Sequence, residues 1–90
     1  MSKLPVKIGS VVVSKAGRDQ GRRFLVVEEV DADFVMIANG ELRTMNRQKK
    51  KRRRHLQPTG RVVPALCERI GEGKPVEDYE LRSWLSEEEK

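Results

Sequence analysis

Val11-Val12-Val13-Ser14-Lys15-Ala16-Gly17-Arg18-Asp19-Gln20-Gly21-Arg22-Arg23-Phe24-Leu25-Val26-Val27 is the stretch on which the reading of this chain turns. Two apolar runs rich in valine flank a loop that carries four cations and two glycines. Branched side chains fit a pleated, half-buried surface, so both runs read as strands. Gly17 and Gly21 suit the loop because glycine takes positive φ at no steric cost. A strand, a basic glycine loop and a second strand hold cations rigidly beside a polyanion.

Working outward, the pattern predicts strands over 11–15, 24–30 and 34–38, with turn chemistry at Asp31-Ala32-Asp33. Asn39-Gly40 is a strong signal for a two-residue type I′ hairpin, which returns the chain as a fourth strand over 42–45. A short fifth strand is expected over 54–56, stopped by Pro58. Short strands and tight turns point to a small antiparallel barrel. The strand runs are more evenly apolar than a sheet with one wet face requires. Beyond Gly60 the period changes. Val63, Leu66, Cys67 and Ile70 fall on one helical face, with Pro64 at the start and Gly71 at the stop. A second helix is expected over 78–85, with Leu81, Trp84 and Leu85 on one side. Glu77 and Glu80 suggest a capping box, with Val76 and Leu81 as its hydrophobic staple. The expected organisation is a lead-in over 1–7, a barrel over 8–60 with a basic loop at 43–54, and a two-helix appendage over 61–90.

Charge is unevenly placed. Residues 1–60 carry a net +8 and residues 61–90 a net −3. From Arg43 to Arg54 there are eight cations and no acid. Such a block repels itself and tends to be mobile until a polyanion neutralises it. The single cysteine, Cys67, excludes an internal disulfide and a cysteine zinc cluster. No apolar run approaches membrane-spanning length and no secretory signal is evident, so a cytoplasmic monomer is expected. One histidine, one cysteine and no phosphate-binding lysine loop argue against an enzyme, and neither cofactor nor metal is expected.

The candidate RNA-contacting residues are Lys15, Arg18, Gln20, Arg22 and Arg23 in the glycine loop, then Arg43, Arg47, Lys49, Lys50, Lys51, Arg52, Arg53, Arg54 and His55. Arginine's planar fork matches phosphate oxygens in two-pronged fashion. Gly17 and Gly21 set loop shape rather than touch a ligand. Phe24 and Phe34 sit in apolar runs and read as core. Tyr79 and Trp84 are candidates for a partner-binding face, since aromatics are enriched in such contacts. With so few aromatics, recognition of RNA by shape and phosphate fits better than single-strand reading by stacking.

The stretch 8–30 resembles a KOW motif, with Gly21 at its characteristic glycine. Asp33-Phe34-Val35-Met36-Ile37 and Arg52-Arg53-Arg54-His55-Leu56-Gln57-Pro58-Thr59 extend the likeness. They resemble the family of KOW-type large-subunit ribosomal proteins numbered fourteen in archaea and eukaryotes, and stand-alone bacterial KOW-domain RNA-binding proteins still more. The resemblance implies an SH3-like barrel and an RNA-binding protein associated with ribosomal RNA or the ribosome. Three departures stand out: a shorter connection after the third strand, Gln57 where the family has Glu, and no long basic extension. The competing reading is a protein-interaction module docking on transcription or translation machinery. A nonspecific DNA binder fits less well, because neither tail helix carries a basic recognition face.

Overall fold

The computed structural model describes residues 6–88. Residues 1–5 of the expected lead-in and residues 89–90 of the expected appendage lie outside the described residues. Five strands, β1 (Ser10–Ser14), β2 (Arg23–Glu29), β3 (Phe34–Ala38), β4 (Lys49–Arg52) and β5 (Leu56–Val62), form one antiparallel sheet in the order β4-β3-β2-β1-β5. Two helices follow, α1 (Pro64–Gly71) and α2 (Asp78–Glu88). The fold is mixed and mainly β.

Both faces of β1, β2 and β3 carry buried side chains, which is why these three strands are so evenly apolar. Val12, Phe24, Val26, Val35, Ile37 and Leu56 cluster on one face. Val11, Leu25, Val27 and Ala38 cluster on the other, against Val63, Leu66, Val76, Leu81 and Leu85 of the C-terminal segment. The register sorts these sets: Val12 pairs with Phe24 and Val26 with Ile37, whereas Val11 pairs with Leu25 and Leu25 with Ala38. Directly paired residues put their side chains on the same face. Each fully buried Leu or Phe contributes about 1.5–3 kcal/mol, so the helices share a core with the sheet.

The helices seat on the sheet at two glycines. A Cβ on Gly9 would collide with Cys67 Sγ, and one on Gly40 would collide with the Asp78 carbonyl. Cys67 donates to the Ile8 carbonyl at 3.2 Å, and Val63 N–H donates to the Gly9 carbonyl at 2.8 Å. Pro64 opens α1, where its missing N–H has no intrahelical partner to lose. Glu77 N–H donates to Glu80 Oε1 at 3.2 Å, and Val76 and Leu81 are both buried. Half of the expected box and its staple are thus present.

Five expectations need correction. The sheet is not a hydrogen-bonded closed barrel, because among the described residues β4 and β5 share no ladder. The segment 42–45 is not a strand. Asn39 does not take the positive φ that a type I′ turn requires. Its carboxamide instead accepts from the N–H groups of Glu41 and Arg43, each at 3.0 Å. Asp78 Oδ1 takes the Met45 N–H at 2.8 Å, and Arg82 donates to the Gly40 carbonyl at 2.6 Å. The connection therefore runs through a 3-10 turn (Met45–Arg47) to the real fourth strand and is longer than Asn39-Gly40 alone. That fourth strand is part of the basic run. Finally, β5 continues through Pro58, which is tolerated because, among the described residues, β5 is an edge strand paired only with β1. Gly71 likewise lies inside α1, and the chain turns at Gly73, with φ of 71°.

Candidate nucleic-acid interface

The run expected as a mobile loop is mostly ordered: Lys49–Arg52 is a strand and Arg53–His55 a 3-10 turn. The alternation of a strand sends its cations to opposite faces. Lys49 and Lys51 pair with Ile37 and Val35, on the apolar inner face. Lys51 is only 8% exposed, and its Nζ donates to the Ala16 carbonyl at 2.9 Å. A buried ammonium needs such an acceptor, because leaving it unpaired is costly. Lys49 Nζ lies 3.8 Å from Asp19 Oδ2, which Arg43 Nη2 also approaches at 3.5 Å. The Asp19 side chain is 6% exposed. It is the anchor that draws the β1–β2 loop to β4.

On the outer face, Lys50 and Arg52 pair with Met36 and Phe34. The Lys50 Nζ and Arg52 Cζ stand 4.7 and 4.8 Å from the Phe34 ring centroid. Such cation–π contacts contribute about 0.5–1 kcal/mol at exposed sites. Phe34 is only half-buried, so it is not a core residue in the way Phe24 is.

Arg53 is engaged with the β2–β3 hairpin. Its Nε and Nη2 donate to the Asp31 carbonyl, Nη2 also meets Glu29 Oε1 at 2.9 Å, and Nη1 donates to the Val6 carbonyl. Asp31's carboxylate accepts the N–H groups of Asp33 and Phe34, which hold it below its ordinary value. His55 is half-buried, and its carbonyl accepts the Lys15 N–H at 2.8 Å. Desolvation first, then the charges of Arg54, Lys51, Arg52 and Lys15, push the His55 imidazole below its usual 6.5.

The structure thus ties Lys15 to His55, Lys51 to Ala16 and Lys49 to Asp19, so the glycine loop lies against β4 and the turn after it, while Arg52 and Arg54 lie toward the β2–β3 hairpin. Arg18 and Gln20 project from the turn between Gly17 and Gly21, which take φ of 80° and 87°. Arg22 and Arg23 turn toward α2, lining an open groove of about 520 Å³ with Glu41 and Arg82. Arg47 is exposed on its 3-10 turn. Tyr79 and Trp84 do not form one open face. Trp84 packs against the helix-side core, while Tyr79 is 63% exposed. Sequence reasoning missed Asp19 and the strapping role of Arg53. The one available signal was a lone acid inside a basic loop.

No protein-family model matches the chain. Curated relatives do match, and they make the chain a distant homologue of a KOW-domain ribosomal protein. That protein is the large ribosomal subunit protein eL14. The eL14 of Desulfurococcus amylolyticus is 31% identical over 58 residues, 64% of this chain and 60% of its own length. That of Pyrobaculum arsenaticum is 34% identical over 58 residues, 64% and 56% of the two chains. The eL14 of Metallosphaera sedula is 24% identical over 83 residues, 92% and 79%. The match to the first of these spans about 60% of the relative's length.

Proposed function

We propose that this protein binds structured RNA, ribosomal RNA foremost, through phosphate and shape, and that it acts by binding rather than by catalysis. The observation that carries this reading is the junction between the glycine loop and β4. Lys51 Nζ to the Ala16 carbonyl and Lys15 N–H to the His55 carbonyl join two basic segments, far apart in sequence, into one cationic end. Homology to a ribosomal protein supports the choice of RNA over other polyanions. We read the sheet as SH3-like, with β5 returning beside β1, and the protein as a cytoplasmic monomer. Among the described residues no helix is long and apolar enough to cross a membrane.

Phosphate contacts supply affinity and position without reading sequence. Affinity for ribosomal RNA fragments, followed by fluorescence anisotropy, should fall with salt at a log–log slope of about −3 to −5 for five to seven contacts. A flat response overturns the reading. Crosslinking in cells should recover one discrete site on large-subunit ribosomal RNA, and scattered sites would replace that with a general RNA binder.

A further inference from the structure

A nook of about 190 Å³ opens at the end of β4, lined by Ala32, Asp33, Arg52, Arg53 and Arg54. Its composition is unusual for a phosphate site. Asp33 is exposed beside three arginines, yet its carboxylate makes no hydrogen bond or ion pair among the described residues. Only its backbone is engaged, its N–H with Asp31 and its carbonyl with Arg53 N–H. An ionised carboxylate accepts hydrogen bonds and cannot donate them, and it repels a phosphate placed against it. A ligand suited to this nook must offer donors to Asp33 and negative charge to the arginines at the same time. Arg53 is held by Glu29 and the Asp31 carbonyl, which leaves Arg52 and Arg54 for that charge. Arg52 is also held over Phe34, with Cζ at 4.8 Å from the ring centroid, so its guanidinium is fixed from one side while it lines the nook.

We propose that the nook takes one unpaired guanine nucleotide of the bound RNA, a deeper reading of the RNA-binding function and dependent on it. The base stacks on Arg52, which Phe34 supports; unpaired bases are commonly received on arginine planes and aromatic rings. Guanine's N1–H and N2–H₂ lie side by side and match the two oxygens of Asp33. Uracil offers a single N–H between two carbonyls, which a carboxylate repels. The adjoining phosphate falls to Arg54. The exposed cations Lys50 and Arg54 then give general affinity, and the nook at the end of β4 gives base choice.

The test uses the full chain and three RNA hairpins of one stem sequence: fully paired, with one bulged guanine, and with one bulged uracil. Anisotropy should show the guanine bulge bound about tenfold more tightly than the other two. Asp33→Asn should keep affinity for the paired stem and lose the guanine preference. Simple charge counting predicts the opposite, a general tightening on loss of an acid. Phe34→Leu, with folding checked by thermal melt, should reduce the preference and leave the paired stem unaffected. Equal affinity of the native protein for all three hairpins overturns the guanine site and leaves RNA binding standing. Retention of the preference in Asp33→Asn also overturns it. Binding to none of them overturns both.

Discussion

The two faces of β4 carry the same residue types and meet different ends. Inward, Lys49 and Lys51 are consumed by internal partners, Asp19 and the Ala16 carbonyl. Outward, Lys50 and Arg52 lie over a half-buried ring and stay exposed to solvent. The four cations look interchangeable in the sequence. In the fold, one pair builds the platform and the other presents charge. The number of basic residues in a run therefore overstates the charge available to a polyanion. The useful count is of cations whose heads still face water.

The largest effect expected from this contrast is on binding. Replacing Lys50, Arg52 and Arg54 together with alanine should flatten the salt slope by about 2, a loss on the order of a hundredfold in RNA affinity at 0.1 M salt. The thermal midpoint should barely move. A large loss of stability would break the division between the faces. Lys51→Ala should do the reverse. It removes a charged donor from a buried carbonyl, so unfolding free energy should drop by about 1–3 kcal/mol, while the salt slope of the folded protein is unchanged. A purely binding defect in denaturant titration would place Lys51 on the wrong side of the comparison. Asp19→Asn should be milder, costing about 1–2 kcal/mol. It should also release Arg43 and Lys49, so that the salt slope steepens. An unaltered slope would mean that those two cations already contact RNA.

The smallest effect concerns pH. His55 in the free protein titrates below 6.5 because it is desolvated and surrounded by cations. A nearby RNA phosphate favours the protonated form, so its value rises on binding. Binding then takes up a proton between the two values, and affinity should grow modestly as pH falls through the range below 6.5. The His55→Ala variant should lose that dependence. If affinity follows the same pH curve in both proteins, His55 is outside the interface. The sign for folding is opposite. A histidine depressed in the native state costs stability as pH falls toward its unfolded value and below, so binding and stability should diverge in acid.

The first three strands and both helices were legible because each rests on a local signal. Apolar runs mark β1 to β3, and the spacing of Val63, Leu66, Cys67 and Ile70 marks α1. β4 was not legible, since Lys-Lys-Lys-Arg has no apolar alternation and poor strand propensity. It is a strand because β3 supplies a ladder, Ala16 an acceptor and Phe34 a surface for its stems. Asn39-Gly40 misled for the complementary reason. Its local preference is real, but contacts with Asp78 and Arg82, some forty residues away, reshape the turn. For the candidate site, the basic segments were evident as charge. Their meeting point was not, because it depends on Asp19 and on which face each lysine takes.

The seat of α1 on Gly9 gives the molecule a built-in clock. Cys67 is the chain's single thiol, and its sulfur fills the space left by the missing side chain of Gly9. A thiol reagent has one place to react, and it gains full access when the helix lifts from the sheet. Cys67 is partly exposed even when the joint is closed, so it is the excess of the alkylation rate over that baseline that reports opening, and a fall in that excess on addition of RNA would register, without any introduced label, how far binding tightens the helix-bearing face of the sheet.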